Sequence, residues 1–242
     1  MQQEWIKYVC DPIDKTELKL YRVTKKVGDD VVTGVLKSKS GNFYKIENGV
    51  PILLAKNSQR VSSVESFAYE WNEFDFDYGK EGWINDVVRP VVGGLNYFMG
   101  KVIVDCGAGS GRQSLWMAQA GAKFVFALEL SNAALTVTKK VADMENHRIF
   151  VIQCDISHLP INTKNKKIDL VYCVNVIQHT KNPKKATFEI SKLMNWDSNF
   201  IFNIYMEKGR KFFLKFLDST RVITKFIPHT LLKYLSFFVT LF

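Results

Sequence analysis

The sequence predicts an α/β protein, a doubly wound parallel sheet preceded by a small β-rich module, and three observations carry that expectation. From Lys101 onward, short apolar runs alternate with helical segments, the order that places parallel strands under helices. The first of these strands ends in Asp105 and passes through the alternate glycines Gly107, Gly109 and Gly111 into a helix. Residues 1–56 differ: β-branched and aromatic runs are parted by Gly28-Asp29, Gly41-Asn42 and Asn48-Gly49, the turn chemistry of antiparallel hairpins.

In chain order, the module is expected to hold strands over 19–27, 30–37, 43–46 and 50–54. Residues 57–100 read as a polar linker followed by a dense aromatic helical segment, with Tyr69 and Trp71 as candidate lid residues. The core, 101–205, is expected to hold strands over 101–106, 123–129, 148–153, 167–174 and 199–205. Its helices are expected over 112–120, 132–144 and 183–195, with Ser131 as an N-cap and Pro183 in a first turn, where its missing N–H costs nothing. Residues 206–242 read as a basic amphipathic helical segment, in which Lys208, Arg210, Lys211, Lys215 and Arg221 are interleaved with Phe212, Phe213, Phe216 and Phe226.

With 242 residues, 47% of them hydrophobic and 24% charged, the chain has enough apolar side chains to close a core. Its net charge of +9 suits an anionic partner such as RNA, a phospholipid surface or an acidic substrate, although a generally basic proteome would give the same figure. The four cysteines, Cys10, Cys106, Cys154 and Cys173, are widely scattered, which argues against a disulfide framework and for a reducing cytoplasm. No signal peptide opens the chain and no run reaches the ~18 apolar residues of a spanning helix. The apolar tail over 231–242 leaves room for a helix lying on a membrane surface.

The chemistry concentrates at the carboxyl ends of the expected strands, where open α/β sheets bind ligands. Glycines let the backbone turn sharply and let a ligand approach without a Cβ in the way. The spacing here is G-x-G-x-G, with Arg112 where the dinucleotide fingerprint has its third glycine, so a pyrophosphate ligand is disfavoured. Glu129 ends the second strand 24 positions after Asp105, close to the offset of an acid that accepts hydrogen bonds from two ribose hydroxyls. Asp155-Ile156 follows the third strand, and Asn175 with Gln178-His179 follows the fourth.

These four ordered features, over roughly 67–205, resemble the class I S-adenosylmethionine-dependent methyltransferases of the UbiE/type 11-like kind. The resemblance implies a Rossmann-like sheet with S-adenosylmethionine as cofactor. Asp105, Gly107, Ala108, Gly109, Gly111 and Arg112 would lie along its methionine and ribose portions. Glu129 and Leu130 would take the ribose, Asp155 the adenine amine, and Ile156 the face of the ring. Asn175 would face the sulfonium and Gln178 the acceptor, with His179 the candidate general base. Members of that family commonly add two more strands, which this sequence does not supply in recognisable form.

The N-terminal residues, Tyr8-Val9-Cys10 and the run from Gly41 to Leu54, resemble the Trm112-like, zinc-ribbon-like family that accompanies some methyltransferases. A structural zinc needs four ligands and only Cys10 is present there, so no metal is expected.

The leading expectation is methyl transfer by in-line displacement to a small-molecule or lipid-like acceptor, in the cytoplasm, with a peripheral membrane or protein contact through the C-terminal segment. An RNA methyltransferase and a non-catalytic, methyltransferase-like binding protein are the alternatives.

Overall fold

The computed structural model describes residues 1–55, 62–74, 77–145, 147–165 and 167–204, together with Ile227 and Leu231. The chain divides into two compact units, Met1–Asn203 and Ile204–Phe242. The expected basic helical segment over 206–242, and whether two closing strands are missing, lie outside the described residues.

The first unit is built on one nine-stranded sheet. In chain order its strands are β1 (Leu18–Val27), β2 (Asp30–Ser38), β3 (Phe43–Glu47), β4 (Val50–Leu53), β5 (Val102–Cys106), β6 (Phe124–Glu129), β7 (Ile149–Cys154), β8 (Leu170–Val174) and β9 (Asn199–Asn203). Their spatial order is β1-β2-β3-β4-β7-β6-β5-β8-β9. The chain begins the parallel part at β5, steps to β6 and β7 on one side, then crosses back to β8 and β9 on the other. That reversal beside β5 is the topological switch point of a Rossmann-like, doubly wound fold, and the crevice outside the strand ends there is where such sheets take ligands.

The helices are α1 (Ser62–Glu73), α2 (Lys80–Trp83), α3 (Arg89–Val92), α4 (Arg112–Gln119), α5 (Val137–Ala142) and α6 (Pro183–Ser191), with a π turn over Ile84–Val88 joining α2 to α3. Every residue of β5 and β7 is buried, as expected of strands covered on both faces. On one face Trp83 packs on Phe98 and Trp116 and donates its indole N–H to the Tyr172 hydroxyl at 2.9 Å, fixing the aromatic segment before the core.

The N-terminal strands are part of the same sheet. β4 runs parallel to β7, with Ile52 opposite Gln153 and Leu53 opposite Cys154. The segment before β1 is bound to the loop after β7: Cys10 donates its N–H to the Pro160 carbonyl, and Asn162 donates its own to Tyr8, both at 2.8 Å. Trp5 packs edge-on against Phe124 and Phe150. Cys10 is buried, and burial pushes its thiol up to about 11.

Three elements are shorter than expected, two of them for identifiable reasons. Residues 132–144 are not one helix: a 3-10 turn over Asn132–Leu135 precedes α5, with the break at Thr136 (φ −121°, ψ −100°), where the β-branched side chain bonds back to the Asn132 carbonyl at 3.3 Å. Ser131 does cap that turn, accepting from the Ala133 N–H. The fourth core strand starts at Leu170 rather than 167, because the Asp169 side chain is engaged by the Val102 N–H at 2.8 Å. The helix after Pro183 ends at Ser191.

Candidate functional site

The turn after β5 is shaped by contacts that leave no room for side chains. Gly107 has φ +79°, and a Cβ there would lie 2.5 Å from Val176 Cγ2. Gly111, also at φ +79°, would bring a Cβ to 3.2 Å from the Thr138 backbone, so the third glycine lets α4 and α5 approach. The N–H groups of Gly107 and Ala108 both donate to the Leu128 carbonyl at 2.8 Å, tying the loop to the end of β6. Thr138 closes the other side, donating its hydroxyl to the Gly109 carbonyl at 2.6 Å.

Glu129 is buried at the end of β6, and its two oxygens accept from Gly109 N–H at 2.9 Å and Ser131 N–H at 2.7 Å. A carboxylate has about four lone-pair sites, so each oxygen retains capacity for a ligand hydroxyl. Asp155 caps the turn over Ile156–His158: one oxygen accepts from Ser157 N–H at 2.8 Å, and the other lies 3.7 Å from His158 Nδ1. Asn175 ends β8 with φ +60°, a left-handed conformation uncommon for a residue with a side chain and frequent at functional turns.

These groups border an open-mouthed cleft of about 870 Å³, a figure that includes the solvent at its mouth. Of the residues expected from sequence, Gly107, Gly109, Glu129, Leu130, Asp155, Ile156 and Asn175 line it, together with Trp71 and His179. Trp71 reaches it from α1, its indole lying against Gly109 so that a Cβ on that glycine would be 3.0 Å from the ring. Phe67, one turn earlier, stacks on Trp71 and meets His179 edge-on at 5.2 Å.

The remaining expected residues do not line the cleft. Asp105 sits behind the loop, buried, accepting the Ser114 hydroxyl at 2.5 Å, and burial raises its carboxyl to about 7 with Glu129 adding to the rise. Ala108 is core, and Gly111 packs on α5. Arg112 pairs with Asp77 at 3.0 Å. Tyr69 lies on α1 away from the lining, and Gln178 has buried amide atoms without a hydrogen-bond partner among the described residues.

Sequence reasoning assigned no role to Val64, Val176 or Lys181, which also line the cleft. For Val176 a signal existed, since a glycine required at 107 implies a neighbour occupying its Cβ space. Lys181 sits in a polar turn with nothing to distinguish it.

Residues 104–202 match a family model described as a methyltransferase domain. Protein arginine N-methyltransferase 1 of Caenorhabditis elegans is 44% identical over 78 residues, a match covering 31% of this chain and 22% of that protein. The chain therefore spans less than a quarter of that relative's length. Ubiquinone biosynthesis O-methyltransferase of Neisseria meningitidis is 23% identical over 168 residues, 69% of this chain and 70% of that one. Among solved structures, the DhpI-SAM-HEP complex overlays with a TM-score of 0.48 at 13% identity, covering 64% of this chain and 69% of the other.

Proposed function

We propose, from the premise that residues 104–202 form a methyltransferase domain, that this chain transfers a methyl group from S-adenosylmethionine to a compact, largely apolar acceptor, small or lipid-like. The observation that carries the reading is the cleft at the switch point, where a bare glycine backbone adjoins two carboxylates at the ends of successive strands. The residues present fit the cofactor. Gly107 and Gly109 offer backbone where a Cβ would intrude, Glu129 has lone pairs left for ribose hydroxyls, and Asp155 with Ile156 suits an adenine amine and ring face. Bound there, S-adenosylmethionine would supply the methyl carbon and leave as a neutral thioether, so little new negative charge has to be stabilised.

The protein's contribution is then chiefly positioning, and holding nucleophile and carbon in line at ~3 to 3.5 Å accounts for ~7 to 11 kcal/mol of barrier. Phe67, Val64 and Val176 give the acceptor side an apolar wall. Its charged neighbours favour a neutral or acidic acceptor over a guanidinium: Lys181 lines the cleft, while its only carboxylates among the described lining residues are Glu129 and Asp155, the two assigned to the cofactor. A phenol or enol must lose a proton, and His179, exposed on the cleft against Phe67, is placed to accept it. We read the N-terminal strands as a metal-free variant of the Trm112-like module.

Calorimetry with S-adenosylmethionine tests the cofactor half of this reading directly. Micromolar binding weakened at least tenfold by Glu129→Ala and by Asp155→Ala is expected. A folded wild type that binds none would overturn the enzymatic reading and favour a non-catalytic binding protein.

A further inference from the structure

The outer face of β1–β3 carries a pattern that the cofactor cleft does not explain. Tyr21 and Phe43 are exposed at 60% and 55%, and their rings meet edge-on at 5.2 Å across the sheet. The Lys37 ammonium stands over both, 5.5 Å from the first ring and 5.3 Å from the second. Lys19 is directly opposite Lys37, and Lys37 is opposite Phe43, so two like charges and an aromatic ring form one row across three strands. Arg22 opposite Val35, and Val35 opposite Lys45, form the next row. Like charges placed opposite each other cost stability, a cost an anion would relieve.

The acids nearby do not neutralise this face. Glu17 pairs with Lys39 and Glu47 with Lys45, while among the described residues no carboxylate is within ion-pair distance of Lys19, Arg22 or Lys37. Protection of the sheet edge explains lysines on β1, because charge discourages a second chain from pairing there. It does not explain two exposed rings, which promote association. Rings interleaved with cations on an open antiparallel face suit a chain of alternating flat bases and phosphates.

We propose that this face binds single-stranded nucleic acid, with bases stacking on Tyr21 and Phe43 and phosphates held by Lys19, Arg22 and Lys37. The direction of the strands supports an approach to the cleft. β4 is parallel to β7, so the end of the module at which Lys19, Lys37 and Phe43 lie is the end at which the cleft opens beside Asp155. A shallow depression bounded by Ile13, Asn42, Phe43 and Ile52 adjoins the ring at that end, with room for a base edge. The surface is separate from the cofactor site and its occupancy does not depend on which acceptor is methylated.

The experiment is fluorescence anisotropy of the full chain with a labelled uridine oligomer of about 12 nucleotides, repeated with a duplex of equal charge and with anionic lipid vesicles. Binding of the single strand is expected to fall with salt at a log–log slope of about −2, the value for three phosphate contacts. Tyr21→Ala and Phe43→Ala should each weaken it roughly tenfold. Lys37→Ala should weaken it and flatten the slope by about 0.7. All three side chains are exposed, so circular dichroism and S-adenosylmethionine binding should match wild type, which separates failure here from failure of the cofactor reading. No binding, equal affinity for duplex or vesicles, or a single-strand affinity indifferent to loss of both rings would overturn the proposal.

Discussion

The two halves of the sheet are joined edge to edge yet built by different rules. In β5 and β7 every residue is buried, and the connections between parallel strands are crossovers that lay helices on both faces. In β1 only Leu18 is buried, and β3 alternates exposed and buried along its length. Its strands are joined by tight turns, and Tyr21 and Phe43 stand exposed on one face. The parallel half can therefore form a concave site only at its strand ends, where loops converge. The antiparallel half offers a flat face, with a depression beside Phe43 that is lined by Ile13, Asn42 and Ile52. A glycine accordingly means something different in each half.

The largest expected effect is at Gly107. Alanine there combines a left-handed φ of +79° with a Cβ 2.5 Å from Val176, a contact that either loop or strand end must move to relieve. We expect a loss of ~2 to 4 kcal/mol in urea melts and at least a hundredfold loss of S-adenosylmethionine affinity. Wild-type binding by Gly107→Ala would break the claim that the loop's exact path makes the site.

Asp105 comes next. Its folded carboxyl is raised to about 7 by burial, against about 3.9 in an unfolded chain. Between those values the folded state holds the extra proton, so this group's contribution to stability is greatest below pH 4 and declines as pH rises through 7. Asp105→Asn, which keeps the shape and a hydrogen-bonding group for Ser114, should flatten that part of the stability-versus-pH curve. By pH 8 the two curves should have separated by ~4 kcal/mol more than their separation below pH 4, and above pH 8 they should run parallel. Parallel curves for wild type and variant would show that another group carries the dependence.

Trp83→Phe tests how firmly the segment before the core is held. It keeps a ring for Phe98 and Trp116 and removes the donor to Tyr172, leaving a buried hydroxyl short of a partner. A loss of ~1 to 3 kcal/mol is expected, seen as a fall in Tm of several degrees. An unchanged Tm would mean that ring packing alone fixes the segment.

The parallel half was legible in the sequence because its signals are local. Val104-Asp105 leading into alternate glycines, or Glu129 at a strand end, states both element and place, and the cleft duly collects Gly107, Gly109, Glu129 and Asp155. The antiparallel strands were equally visible one by one, since Gly28-Asp29 and Asn48-Gly49 mark their turns. Their destination was not. Nothing local to Val50–Leu53 says that it will pair with β7 rather than fold on its own hairpin, because that choice is made by contacts such as Cys10 with Pro160 and Trp5 with Phe150, distant in the chain. The same holds at the site. Arg112 and Ala108 share the motif with Gly107 and Gly109, but in the loop Ala108 turns into the core, and at the helix start Arg112 turns to Asp77. The break at Thr136 was hidden because apolar periodicity over 132–144 is continuous, and a β-branched side chain bonding back to the Asn132 carbonyl leaves no mark on that periodicity.

The smallest effect is reserved for the counterpart of Gly107 in the other half. Gly28 begins the two-residue turn between Val27 and Asp30 and has φ +56°, yet a Cβ added there would meet nothing within 4 Å. Alanine therefore incurs only the backbone strain of the left-handed region, ~1 kcal/mol, offset in part by the reduced freedom of the unfolded chain. The turn is solvent-facing and remote from the cleft, so S-adenosylmethionine affinity should equal wild type while the urea midpoint falls slightly. If Gly28→Ala instead costs as much as Gly107→Ala, the contrast between a glycine that frees a turn and a glycine that makes room fails, and conformational strain alone would account for both.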